Sequence, residues 1–262
     1  RFQCEYSKAL QHYQQALPIF ETIHHPTKAI YAQIAMGRIY STWGDQPRAQ
    51  AILVPAAQTI ATVTDDSLKS FVLLILATHE YRWNRPQQAL AYIAQGLQLM
   101  GEASHTTLRL GYLTLQGHCQ RVLHFADQAL LSYQAAIALR PKMGFAAPIA
   151  EAYTGVALLA LDQGDRTGAQ GTTNELLQIV ETPPYAGYED PFFIYGACYQ
   201  LLNALSDPRA AKLLEQGLTL LQRCAAQIDD ETLRQTFLEH TSRRCHLFGV
   251  NNDVQKNRAL PD

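Results

Sequence analysis

The stretch WGDQPRAQAIL, residues 43–53, reads in two ways. A glycine-aspartate turn can hold a phosphate or a metal, and it can equally be the elbow between two helices. Forty residues later the chain repeats the shape as WNRPQQALAYI, residues 83–93, with Asn84 and Arg85 in place of Gly44 and Asp45. A ligand site would not tolerate that exchange. An elbow does, because Gly and Asn are the two residues that best adopt the left-handed conformation closing a helix. Asp45, Asp165 and Asp207 are placed to cap a following helix, and Pro47, Pro86 and Pro208 suit its first turn. The elbow LHFADQA, residues 123–129, lacks a strong helix breaker.

With Ala49 as a ruler, steps of 40 residues reach Ala9, Ala89, Ala129 and Ala169, and a step of 41 reaches Ala210. Twelve residues before the ruler stand Gly37, Ala77, Gly117, Ala157 and Cys198, all small. Seven after it stand Ala16, Ala56, Gly96, Ala136, Leu176 and Gly217, with one large member, and eight after it every residue is apolar. Small residues recurring on both sides of a turn describe two helices that cross closely at the same place in each unit. The expected helix pairs lie near 27–61, 67–101, 106–140, 146–181 and 191–227, with a single helix at 5–24 and another at 230–247. Asp229, Asp230 and Glu231 cap that last helix. Pro18 and Pro55 are expected inside helices, and Gly168 and Gly171 are expected to loosen one.

These residues resemble the tetratricopeptide repeats. Gly37, Tyr40, Ala49, Leu53 and Ala56 trace that family's pattern in one unit, and Gly117, Ala129, Tyr133, Ala136 and Pro141 trace it in another. The unit departs from the family in its period, 40 residues against about 34. The longer helices resemble the repeat regions of large bacterial signalling ATPases and MalT-like regulators. The segment LRQTFLEHTSRRCHL, residues 233–247, is similar to the motif that closes many such regions. The resemblance implies an all-α, right-handed solenoid over 1–228 with a capping helix over 229–248, and the polar, aperiodic segment 249–262 is expected to be a disordered tail. Because the chain opens in mid-repeat at Arg1, it is expected to be a fragment with an ATPase, cyclase or DNA-binding domain upstream.

Composition narrows the function. The net charge is −2, and Arg243-Arg244 is the sole basic cluster, which speaks against nucleic acid and membrane surfaces. The longest apolar run, Phe71 to Ala77, is too short for a membrane span. Five scattered cysteines without a CxxC pair imply reduced thiols and a cytoplasmic protein. QGDRTGAQGTT, residues 163–173, is glycine-rich but lacks the lysine of a phosphate loop, and Ala169 sits on the ruler, so it is another elbow. His118, Cys119 and His124 are too few and too loosely spaced for zinc, and no nucleophile motif occurs. No cofactor, metal or catalytic residue is expected.

What remains is surface. In helical repeat proteins the first helices of successive pairs line a groove. Here they would present Tyr31, Arg38, Tyr81, Arg82, His118, Arg121, Tyr195 and Tyr199, an aromatic and cationic set of the kind that binding hot spots favour. The lysine and asparagine with which some family members clamp peptide C-termini are absent. The expected role is a protein-binding or regulatory scaffold, with an acidic or phosphorylated peptide, or an upstream domain of the same chain, as partner. A small-ligand sensor in the groove is the alternative, and a hydrolase built on His118–His124 a distant third.

Overall fold

The computed structural model describes residues 5–60, 63–100, 106–139, 149–180 and 190–245. Twelve helices account for most of them, with no strand among the described residues. Five helix pairs follow the first helix α1 (Tyr6–Thr22): α2 (Pro26–Trp43) with α3 (Gln46–Thr59), α4 (Asp66–Arg82) with α5 (Pro86–Leu99), α6 (Thr106–Val122) with α7 (Ala126–Ile137), α8 (Ala150–Asp162) with α9 (Arg166–Val180), and α10 (Pro191–Ala204) with α11 (Ala210–Ala225). The last helix is α12 (Glu231–Arg244). Pro141 and the tail 249–262 lie outside the described residues.

Each elbow turns on one residue of positive φ: Gly44, Asn84, His124, Gly164 and Ser206. The elbow without a breaker therefore closes as the others do, with His124 at φ 63° in the glycine position. Aspartates then start the next helix. Asp45 accepts from the Arg48 amide at 3.1 Å, Asp165 from the Gly168 amide at 2.9 Å, and Asp230 from the Leu233 amide at 2.9 Å. Such caps satisfy amides that have no partner inside the helix. Pro18 and Pro55 do sit inside α1 and α3, and α9 runs unbroken through Gly168 and Gly171.

The first helices form one row, α2 on α4, α4 on α6, α6 on α8 and α8 on α10, while each second helix packs behind its own partner. The small-residue columns lie where the two layers cross. Ala77, Ala157 and Cys198 are fully buried, as are Ala49, Ala89, Ala129 and Ala169. A Cβ on Gly37 would come within 2.6 Å of Leu53 Cδ2, and one on Gly117 within 2.5 Å of the Tyr133 ring.

Stacking leaves the last pair with an uncovered face, and α12 covers it. This helix does not continue the stack. It packs on α11 and also on α2 at the opposite end of the row. The Phe237 ring, fully buried, meets Phe192 of α10 edge-on at 5.7 Å. Gly44, read from the sequence as a cap, also lies beneath His240, and a Cβ there would come within 2.5 Å of His240 Cβ. Gly196 leaves room for the Cys245 carbonyl. The chain's two ends thus share one apolar core that runs through α2, α3, α4, α10, α11 and α12, with Tyr6, Leu10 and Tyr13 of α1 against it. The Ser7 hydroxyl donates to the Gln227 carbonyl at 2.5 Å. The cysteines depart from expectation: Cys119, Cys198 and Cys245 are free buried thiols, but Cys224 is disulfide-bonded. The inference of a reducing compartment therefore loses its basis.

The same substitution should have opposite signs at two glycines. Gly117→Ala drives a methyl into Tyr133 and should cost about 1–3 kcal/mol. Gly171→Ala, with nothing near its Cβ position, should gain up to about 1 kcal/mol from helix propensity. Urea denaturation followed by circular dichroism measures both, and a Gly117→Ala protein as stable as the parent would refute the close crossing.

Candidate binding site

The residues expected to line a groove do not share one environment. Tyr31 is 46% exposed and stacks on Phe71 of the next first helix, ring centroids 5.2 Å apart. Arg38, two turns further along α2, is half-buried, as are Tyr81 and Tyr199. His118 and Tyr195 are not surface residues at all, at 3% and 7% exposure. Burial of His118 has a clear cause. Its ring stacks on Tyr81 of α4 at 5.9 Å and meets Phe193 of α10 edge-on at 5.0 Å, and its Nδ1 lies 2.9 Å from the Tyr133 hydroxyl of α7. It joins four helices beneath the surface rather than lying on it.

Arg82 and Arg121 are also less free than expected. The Arg82 guanidinium, 8% exposed, donates to Thr42 Oγ1 at 2.9 Å and to Asp190 Oδ2 at 3.4 Å. The same carboxylate oxygen takes Arg244 of α12 at 2.6 Å. Asp190 also caps α10 by accepting from the Phe193 amide, while its own amide donates to Glu151. One buried carboxylate therefore ties the solenoid row to the terminal helix. Burial pushes the Asp190 carboxyl upward, but the Arg244 and Arg82 charges outweigh that and hold it below the usual carboxylate value. Arg121 pairs with Asp162 of α8 at 2.7 Å.

Between α12 and the row lies a cavity of about 450 Å³. Its walls are Tyr81, Arg82, Trp83 and Asn84 at the end of α4, Arg121 and Val122 of α6, Leu158 of α8, and Phe193, Ala197 and Gln200 of α10, closed by His240, Arg243, Arg244 and Cys245. Trp83 packs on His240 with centroids 5.0 Å apart. Buried nitrogens of Trp83, Arg121, His240 and Arg244 have no hydrogen-bond partner among the described residues. Three of the eight expected residues, Tyr81, Arg82 and Arg121, thus meet at one cavity, and Tyr31 and Arg38 lie elsewhere on the row. The sequence reading missed Trp83, Asp190, His240 and Arg244. Its one pertinent signal was the Arg243-Arg244 pair, isolated in a chain with few basic clusters.

The buried histidines feel this positive field. Burial and Arg121 lower His118 to about 3. Burial, then Arg244 and Arg82, lower His240 to about 4 against the opposing pull of Asp190. His79, 3.0 Å from Ser41 Oγ, falls to about 4 through burial and the charges of Arg85 and Arg82. All three are neutral at pH 7.

No family model matches the chain, and no curated protein does. Solved structures do share its fold. It is similar to BtubC from P. vanneervenii, with a TM-score of 0.58 and 16% identity over 99% of this chain and 93% of that one. A Rap protein solved in complex with competence and sporulation factor aligns with a TM-score of 0.62 at 13% identity, covering 97% of this chain and 72% of that one. The type IV pilus biogenesis factor PilW aligns with a TM-score of 0.54 at 18% identity, covering 88% and 93%. The fold is a tetratricopeptide-like helical solenoid. No helix among the described residues is long and apolar enough to cross a membrane.

Two outcomes follow from the electrostatics. Asp190→Asn leaves Arg82 and Arg244 buried without their counter-charge and should cost about 3–5 kcal/mol in urea denaturation; a loss below 1 kcal/mol would mean that the tie contributes no more than a surface ion pair. Lowering the pH from about 6.5 towards 4 should also destabilise the protein. The unfolded histidines take up protons there that the folded ones refuse, at about 1.4 kcal/mol per pH unit for each. A urea midpoint constant between pH 7 and pH 5 would contradict the burial of these rings.

Proposed function

We propose that this segment is a non-catalytic protein-binding scaffold whose ligand surface is the row of first helices. The observation that carries this reading is α12 itself. The row already holds one helix through an aromatic contact, Phe237 on Phe192, and a charge contact, Arg244 on Asp190. A surface that accepts an amphipathic helix in cis has the chemistry to accept a segment in trans. Tyr31 and Arg38, two turns apart on α2, place an exposed aromatic and a half-buried arginine on the row. That pairing favours an acidic or phosphorylated peptide, or an acidic surface of an upstream domain of the same chain. The Rap protein in the comparison was solved in complex with competence and sporulation factor, which supports a ligand-binding use of this fold. We extend the reading to the repeat module of a bacterial signalling or transcription-regulatory ATPase, with 1–228 as solenoid and 229–248 as its cap, on the strength of the closing motif at 233–247.

Arg82 is a poor probe of this reading, since reversing its charge would break the Asp190 tie. Tyr31→Ala with Arg38→Gln is the suitable variant. Selection of a random peptide library displayed on phage against the whole chain should enrich sequences rich in Asp and Glu. Their affinity should fall at least about tenfold for the double variant, with its circular dichroism unchanged. Failure to enrich any family of peptides, or equal binding to the double variant, would refute the assignment of the surface.

A further inference from the structure

The cavity beneath α12 has an excess of positive charge among the described residues. Arg82 and Arg121 reach it from the solenoid, and Arg243 and Arg244 from the terminal helix. No carboxylate among the described residues lines it. Behind its walls stand Asp190, shared by Arg82 and Arg244, Glu151, which accepts from the Asp190 amide, and Asp162 on Arg121, while Arg243 makes no ion pair among the described residues. Among the described residues, these four guanidiniums outnumber the carboxylates around them. The Arg82 side chain is more than nine-tenths buried, and the Arg121 and Arg244 Nε groups are buried without acceptors among the described residues, so water does little to screen these three, while Arg243 stands exposed at the rim. Much of the rest of the wall is apolar or aromatic, with Tyr81, Trp83, Val122, Leu158 and Phe193, and Asn84, Gln200 and His240 add neutral polar groups. A volume of about 450 Å³ falls within the range of small-ligand sites and exceeds what a bare inorganic anion fills.

We propose that this cavity binds a small organic dianion, a phosphate monoester or dicarboxylate carried on an apolar or aromatic body, and that the bound anion clasps α12 to the solenoid. The charged end meets guanidiniums from both sides, which are the planar donors suited to phosphate and carboxylate. The body lies between Trp83 and Phe193. Because Arg82 and Arg121 belong to the row and Arg243 and Arg244 to α12, a ligand that engages both sets stabilises the closed arrangement by its own binding free energy. The site stands apart from the protein-binding reading. Only one consequence rests on that reading, namely that the clasped helix keeps its part of the row unavailable to a protein partner.

The two tryptophans make the test direct. Trp83 lines the cavity, whereas Trp43 is 2% exposed in the core and does not. Phenyl phosphate is titrated into the isotopically labelled chain, and the two indole N–H resonances, assigned with Trp83→Phe, are followed by NMR. The Trp83 signal should shift saturably at millimolar ligand while that of Trp43 stays still, and the thermal midpoint should rise. Arg243→Gln, an exposed position, should weaken binding at least about tenfold, a loss of about 1.4 kcal/mol. Arg223→Gln removes one exposed cation from α11, outside this cavity, and should leave affinity within about twofold. An unmoved Trp83 resonance in a folded spectrum overturns the proposal. So do equal losses in the two variants, or equal binding of benzyl alcohol or of inorganic phosphate. Tighter binding of a phosphotyrosine peptide than of phenyl phosphate would overturn the assignment to a small molecule.

Discussion

Every helix pair in this chain has an apolar face that its own two helices cannot cover, and the whole architecture answers that constraint. Each pair covers its neighbour, which requires close approach, and close approach requires small residues where the layers cross. Ala49, Ala89, Ala129 and Ala169 are fully buried for that reason, and Gly37 and Gly117 sit against Leu53 and Tyr133 with no room for a methyl group. At α10–α11 there is no further pair. The face left over is covered by α12, whose Phe237 takes the place that the next repeat would fill. The need for a cap thus brings the C-terminal helix back over the row of first helices, and the cap converts part of an open surface into a cavity.

That return sets the electrostatics. A helix with arginines at its end cannot settle over a row that already carries Arg82 unless a counter-charge lies between them, and Asp190 is that charge. Its position at the start of α10 gives it three duties: it caps the helix, holds Arg82 and holds Arg244. A carboxylate shared by two guanidiniums neutralises only one of them. The remaining charge is felt by the buried histidines, which stay neutral, and it shapes what the cavity can accept. A shared ion pair of this kind is a device for placing one element relative to another more than a source of net stability, since desolvation offsets much of the attraction.

His118 and Gly44 show how a residue's role depends on what crosses it. Counting along α6 puts His118 on the same face as Arg121, yet His118 meets Phe193 of α10 while Arg121 lines the cavity. Arg121 is long enough to reach the wall, while the short histidine ends beneath Tyr81 and Phe193. Gly44 is a helix cap by its local conformation, and its φ of 79° bears that out. It is also the point where His240 presses on α2, a second reason for glycine that no neighbouring residue announces.

The sequence by itself determined the helices, their elbows and their stacking partners, because these rest on local chemistry. Left-handed turn residues, aspartate caps and small residues repeating every 40 positions are all visible within one repeat and its neighbours. Even the elbow at His124 could be placed by phase when its composition was silent. Only the tertiary structure decided what became of the expected groove. The contacts that close it join residues far apart in the chain, Arg82 with Asp190, Trp83 with His240 and Gly44 with His240, and they belong to no period. A repeat pattern reports what recurs. The cap occurs once, so its destination is written only in the shape and charge of the surface that receives it.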